Sequence, residues 1–361
     1  MQSSPFRFIK ALNRQPVDCT PVWIMRQAGR YLPEYRAIRE KVGGFMGMCK
    51  TPEIACQITL QPLQRFDLDA AIIFSDILTI PDAMGLGLHF KTNEGPHFER
   101  PIRSQADVDN LPIPDMQNDL GYVMQAIRLT AHELHGRAPL IGFCGSPWTV
   151  ATYMVEGKGS KQFSIIKGML YQDPKLLGAL LEKVTKASCL YLQAQIEAGA
   201  QAVMVFDTWG GVLSHQAYET FSLRYMRDIV TYLKSQDATK EIPIILFTKN
   251  GGQYLEQIAN TGCQGIGIDW TVDLNKARSR VGHQVALQGN LDPCVLYANK
   301  ADIQNHVKQV LDAFGKGNGH IFNLGHGIYP DINPDHVQVM IETIKQYSPL
   351  LHQQGNLHEP L

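Results

Sequence analysis

The sequence carries almost no net charge: 33 Lys and Arg face 34 Asp and Glu, leaving −1 in 361 residues. That excludes the broad basic surface of a nucleic-acid or anionic-membrane binder, so any anion recognition must be local. No apolar run approaches the roughly 18 residues that a membrane-spanning helix requires. The opening stretch MQSSPFRFIK lacks the long apolar core of a secretory signal, so a cytoplasmic location is expected. Cysteine is present seven times but never as CxxC, which points to reduced, buried thiols and away from a disulfide framework. There is no HExxH, no Cys/His cluster at metal spacing, no GxSxG elbow and no Walker A sequence. A zinc site is therefore not expected.

What is present is a regular alternation. Hydrophobic residues make up 44% of the chain and charged residues 19%, enough apolar material for a substantial core. Eight short runs rich in Ile and Val recur along it, at 21–25, 70–74, 139–143, 202–206, 243–247, 265–268, 285–288 and 321–324. Each is nearly continuous in apolar residues, as parallel strands buried on both faces are. Helical periodicity lies between them. Leu177, Leu180, Leu181, Val184, Ala187, Tyr191 and Ala194 share one face that ends at Gly199; Ile303, Val307, Val310, Leu311 and Phe314 share another that ends at Gly315. Thr51-Pro52-Glu53 and Asn333-Pro334-Asp335 read as helix starts. Strand–helix alternation implies a parallel sheet, and eight repeats suggest a single-domain (β/α)8 TIM-like barrel over residues 1–361. An open doubly wound sheet is the alternative, but no GxGxxG follows the first run. Residues 85–101 look like a hairpin excursion and residues 154–162 like a flexible loop after the third strand.

In a barrel the chemistry gathers just past the carboxyl ends of the strands. Those positions read Arg26; Ser75-Asp76; Gly145-Ser146; Asp207-Thr208; Thr248-Lys249; Asp269; Asn290 and Asp292; and Gly325-His326-Gly327. Asp207, Asp269 and Asp292 can each cap the helix that follows or serve a site. His326 can be structural or functional, although its two flanking glycines allow the backbone to approach a ligand closely. Lys249 could form a Schiff base, though a lone lysine is a weak signal for that. Asp76 should sit deep in the mouth.

The segment IMRQAGRYLPEYR, residues 24–36, holds Arg26, Arg30 and Arg36 and no lysine. Arginine stays charged and presents a planar fork of donors that matches a carboxylate or phosphate. Several on one loop suggest a small substrate with several such groups. Arg36 falls on a helical stretch and reads as scaffold.

The stretches PVWIMRQAGRYLPEYR, LQPLQRFDLDAAIIFSDIL, GFCGSPWTVATYMVEG, FDTWGG and NLGHGI together resemble the uroporphyrinogen decarboxylase family, from about Phe6 to Tyr347. The resemblance implies a distorted (β/α)8 barrel, a homodimer, no cofactor or metal, and removal of four CO2 from the acetates of uroporphyrinogen to give coproporphyrinogen. It further implies a binding loop of Arg26, Gln27, Ala28, Gly29 and Arg30, a central acid at Asp76, cleft residues Tyr153 and Thr208, and a late histidine at His326. Arg39 matches an arginine that contacts substrate in some relatives. Asn250 stands where the family usually has glycine, but Asn tolerates left-handed backbone geometry. Two rivals stand beside this reading. A zinc-dependent corrinoid methyltransferase of the same barrel superfamily would need a His-x-Cys pair after the fifth strand and a Cys after the eighth, where this chain has Thr248-Lys249-Asn250 and Gly325-His326-Gly327. A non-catalytic tetrapyrrole carrier would keep the arginines without requiring Asp76.

Overall fold

The computed structural model describes residues 6–91 and 95–353. Among the described residues nine strands follow one another: β1 (Ala71–Ile72), β2 (Leu88–Lys91), β3 (Gly95–Phe98), β4 (Leu140–Gly145), β5 (Ala202–Asp207), β6 (Ile244–Thr248), β7 (Gly265–Gly267), β8 (Ala286–Gln288) and β9 (His320–Ile321). β2 and β3 form the expected hairpin, with Leu88 opposite Phe98. The other seven make one curled parallel sheet in the order β1-β4-β5-β6-β7-β8-β9. Seven of the eight apolar runs thus enter a single sheet as neighbours in sequence order.

The run at 21–25 does not form a strand. Only Val22 makes a ladder contact, a parallel bridge to Phe322. The cause lies in where its donors go. Pro21 has none, and side chains capture three of the rest: Val22 N–H donates to Asp69 Oδ2 at 2.8 Å, Ile24 N–H to Gln27 Oε1 at 3.1 Å, and Met25 N–H to Asn323 Oδ1 at 3.0 Å. The remaining donor, Trp23 N–H, reaches Phe322 O at 3.4 Å, so every buried donor is satisfied while the run joins the sheet only at that one bridge. On its other flank Val22 O accepts from Asp69 N–H at 2.8 Å.

Alternation along the strands sorts their side chains into two cores. One row, including Trp23, Met25, Ile72, Ile141, Met204, Phe206, Ile245, Phe247 and Ile321, packs inward with Phe8 and Leu12 of the helix Arg7–Leu12. The other row, with Val203, Val205, Leu246, Ile266 and Leu287, packs against the surrounding helices. The small residue at Gly265 is required here: a Cβ would lie 2.9 Å from Leu12 Cδ2.

The helix starts and stops lie where the sequence places them, with differences of detail. Asn333 Oδ1 caps Asp335 N–H, while the Thr51 hydroxyl turns back to Gly47 O and leaves the cap unmade. Residues 154–162 are not one loop, because helix Pro147–Glu156 runs on through Glu156 and ends at Gly157 with φ 77°. The apolar stretch Val150–Val155 packs into the core and carries the helix across the expected boundary. All seven cysteines are free, and only Cys294 is exposed. Among the described residues no helix is long and apolar enough to cross a membrane.

Candidate active site

The arginine loop is held from below. Gln27 is fully buried, and its amide accepts from Ile24 N–H and donates to Ala70 O at 3.1 Å. The Tyr31 hydroxyl, also buried, donates to Gln27 O at 2.9 Å. Arg26, immediately before Gln27, lies in the left-handed region, φ 65°, a conformation that non-glycine residues adopt mainly where the surroundings impose it. Ala28 and Gly29 are half-buried, and a Cβ on Gly29 would press on Arg26 O at 3.0 Å. Arg26 and Arg30 are left exposed, and neither has a carboxylate within 4 Å among the described residues. Arg36 donates to Arg30 O at 2.8 Å and Tyr31 O at 3.1 Å, which braces the loop. Arg30, Arg36 and Arg39 line an open cleft of about 670 Å³ with Glu40 and Pro330; Asp76, Tyr153 and His326 lie outside that lining.

Asp76 follows β1 and is half-buried. Leu78 N–H donates to Oδ1 at 2.8 Å. Desolvation raises its pKa above the usual carboxyl range, against the opposing pull of Leu78 N–H and the Arg26 charge. Burial likewise raises Tyr153, whose phenol is close enough to Trp209, Asp76 and Arg26 to respond to each. His326, half-buried with its ring 5.9 Å from that of Phe247, is pushed down to about 3 by desolvation and then by Arg26 and Lys249. It is a neutral imidazole at ordinary pH.

The glycines beside His326 are there for packing. A Cβ on Gly327 would lie 2.8 Å from Arg26 Cγ, and one on Gly325 would lie 3.1 Å from Trp270 Cε3. Ile328 N–H donates to Met25 O at 3.0 Å, which fixes this loop against the arginine segment. Arg26, Asp76, Tyr153 and His326 are thereby brought together, although 300 residues separate the first from the last. Arg30 stands farther out, beside Tyr35 and Arg39. Thr208 is half-buried after β5, and its hydroxyl has no protein partner among the described residues.

Sequence reasoning left Asp207 open, and the structure makes it a hub. It is fully buried and accepts from Ser146 (2.6 Å), Thr149 (3.0 Å), Ser222 (2.7 Å) and Thr248 (3.2 Å). Thr149 Oγ1 in turn receives Trp209 N–H at 3.1 Å, which sets the turn after β5. The signal in the sequence was that successive strands end in Ser146, Asp207 and Thr248. Asp292 caps the helical turn Pro293–Tyr297, accepting from Cys294 N–H at 2.8 Å, whereas Asp269 caps no helix: it accepts from Thr271 N–H within its own turn and from Asn250 N–H, and the cap of the next helix is Asp273. Asn250 occupies the left-handed region at φ 57°, as its side chain allows. No group of three or more His, Cys, Asp or Glu at metal-holding distance occurs among the described residues.

A parallel α/β sheet that presents an acid, a phenol, a neutral imidazole and unpaired guanidiniums at its carboxyl edge is the framework of an enzyme for a small polyanion. Residues 4–347 match the family described as uroporphyrinogen decarboxylase (URO-D). The chain is 60% identical to the uroporphyrinogen decarboxylase of Alkalilimnicola ehrlichii over 96% of its own length and 95% of that protein's. It is 59% identical to the one from Klebsiella pneumoniae, covering 96% and 98%. Among solved structures a methyltransferase from Methanosarcina mazei aligns with a TM-score of 0.79 over 94% of this chain and 98% of that one; at 19% identity the likeness is one of fold alone. The chain belongs to the uroporphyrinogen decarboxylase family.

Proposed function

We propose that this chain is a carboxy-lyase that converts uroporphyrinogen III to coproporphyrinogen III by removing its four acetate carboxyl groups as CO2, a step of porphyrin and haem biosynthesis. The observation that carries the reading is the half-buried Asp76 carboxylate facing Arg26 and Tyr153 at the strand ends. An acetate on a pyrrole cannot lose CO2 directly, because the carbanion left behind has nowhere to delocalise. Protonation of a ring carbon makes an iminium-like cation. The carbon–carbon bond to the carboxylate then breaks, and its electron pair flows into that cation. Protonation of the methylene carbon and loss of the ring proton complete the conversion to a methyl group. Asp76, ionised, accepts hydrogen bonds from the pyrrole N–H groups and stabilises the cation at each stage.

The other members take supporting roles. Arg26 and Arg30, held over the mouth by Gln27, Ala28 and Gly29, bind carboxylates of the eight-fold anion. Tyr153, Thr208 and neutral His326 offer hydrogen bonds to its rim. The chemistry draws on side chains alone, without cofactor or metal. We extend the reading to a single domain in which the segment at 21–25 closes the sheet into an eight-fold (β/α)8 barrel; its bridge to Phe322 and its bond from Asp69 on the other flank support this. A cytoplasmic homodimer follows from the family resemblance alone, while a small-molecule substrate, with neither nucleic acid nor membrane as partner, fits the charge of −1. Anaerobic incubation with uroporphyrinogen, followed by chromatography of the oxidised porphyrins, should yield seven- to four-carboxylate products. Their absence overturns the proposal.

A further inference from the structure

Lys249 has no part in the chemistry above, yet it is built into the mouth. It directly follows β6, and its N–H donates to Asp207 O at 3.2 Å. Immediately after it Asn250 turns the chain, its N–H held by the Asp269 carboxylate. The lysine side chain is half-buried, with Nζ 5.6 Å from the centroid of the Trp270 ring. That same ring packs on Gly325, while Arg26 packs on Gly327. His326 therefore stands between two cationic side chains on opposite flanks, and both act on its imidazole.

Among the described residues neither cation has an ion-pair partner within 4 Å. Among the described residues Lys249 Nζ has no ion pair or hydrogen bond, and the neighbouring Asp269 carboxylate is already engaged by Asn250 and Thr271. An aromatic face attracts an ammonium but brings no countercharge. A solvated surface lysine needs no partner, whereas this one is half-buried and close enough to His326 for its charge to act on that ring. A Schiff base has no place here, because a porphyrinogen offers carboxylates and no aldehyde or ketone.

We propose that Lys249 is a substrate-binding residue that holds one side-chain carboxylate of the tetrapyrrole, across His326 from Arg26. The inference rests on the tetrapyrrole reading above. A contact made equally in ground and transition states raises affinity without changing turnover. Lys249→Met should therefore raise KM for uroporphyrinogen about tenfold with kcat within about threefold, and weaken the salt dependence of kcat/KM. Lys249→Arg should restore most of the affinity. If the Met variant does not fold, Lys249→Gln replaces it.

Anaerobic binding of coproporphyrinogen, which keeps only propionates, separates the two kinds of carboxylate. Equal weakening for both tetrapyrroles assigns Lys249 to a propionate, and weakening for uroporphyrinogen alone assigns it to an acetate; either result supports the inference. Unchanged KM for uroporphyrinogen and unchanged affinity for both compounds overturns it, as does loss of kcat at constant KM. A wild-type protein that binds both compounds through Lys249 but does not decarboxylate uroporphyrinogen would overturn the decarboxylase reading and leave this one standing.

Discussion

The Arg26 side chain lies across the backbone of Gly327, so that a Cβ there would sit 2.8 Å from Arg26 Cγ and 2.9 Å from its Nε. Real contacts of that kind do not occur, and the guanidinium would have to move. Gly327 does not itself need left-handed geometry, since its φ is not positive. Gly327→Ala should therefore leave the fold intact while displacing Arg26, lowering kcat/KM by roughly 10- to 100-fold. The urea midpoint should change little. A variant with wild-type kcat/KM would remove Arg26 from the reaction.

Asp76→Asn tests the acid directly. The amide preserves shape but can no longer offer an ionised acceptor to developing positive charge, so kcat should fall by about 10²-fold or more with porphyrinogen affinity retained. Because burial raises the Asp76 pKa, the acid limb of wild-type kcat/KM should lie above the usual carboxyl range and vanish in the variant. The sign for stability follows from the same shift. An acid whose folded pKa is raised favours folding in its protonated form, and loses that contribution as pH rises through the folded pKa. Removing the charge should thus raise the melting temperature at neutral pH. Full activity in the variant sinks the assignment.

Most of the sheet was legible because parallel strands buried on both faces write themselves as continuous apolar runs, and seven of eight such runs became strands. The eighth, at 21–25, had the same composition. What diverted it was capture of its N–H groups by Asp69, Gln27 and Asn323, the last nearly 300 residues away. No local pattern records that. The site was legible to the same depth. Strand-end position drew attention to Arg26, Asp76 and His326, and the structure brings them together. The Asp207 hub was readable only in part: Ser146, Asp207 and Thr248 fall at successive strand ends, but Ser222 comes from a helical turn that no periodicity marks.

His326 should not titrate where histidines usually do. Its pKa falls from 6.5 to about 3 through burial and then through Arg26 and Lys249. Between those limits the unfolded chain binds a proton that the folded one refuses, so this group lowers stability as pH drops from 6.5 toward 3. His326→Gln keeps polar atoms without a basic nitrogen. Measured by urea unfolding, the Gln variant should gain on wild type between about pH 7 and pH 5. The kcat/KM profile should show no histidine limb in that interval. A limb near pH 6.5 that disappears in the variant would place a protonated His326 in the reaction.

Asp207 separates charge from acceptor capacity. Four hydroxyls point at its buried carboxyl, yet desolvation still outweighs them and raises its pKa. The carboxylate charge is therefore not what the network most requires; the oxygens are. Asp207→Ala leaves Ser146, Thr149, Ser222 and Thr248 without their acceptor and opens a void beside Gly210, at a cost of about 3 kcal/mol or more. Asp207→Asn keeps one acceptor, and its amide hydrogens can turn to hydroxyl oxygens, so it should cost under about 1.5 kcal/mol. Urea unfolding of both variants at neutral pH decides the matter. If Asn costs as much as Ala, the hydroxyls need the negative charge itself. If the ranking holds, the loss in Asp207→Ala should extend to turnover, because Thr149 and Thr248, freed from Asp207, no longer fix the turns that carry Trp209 and Lys249.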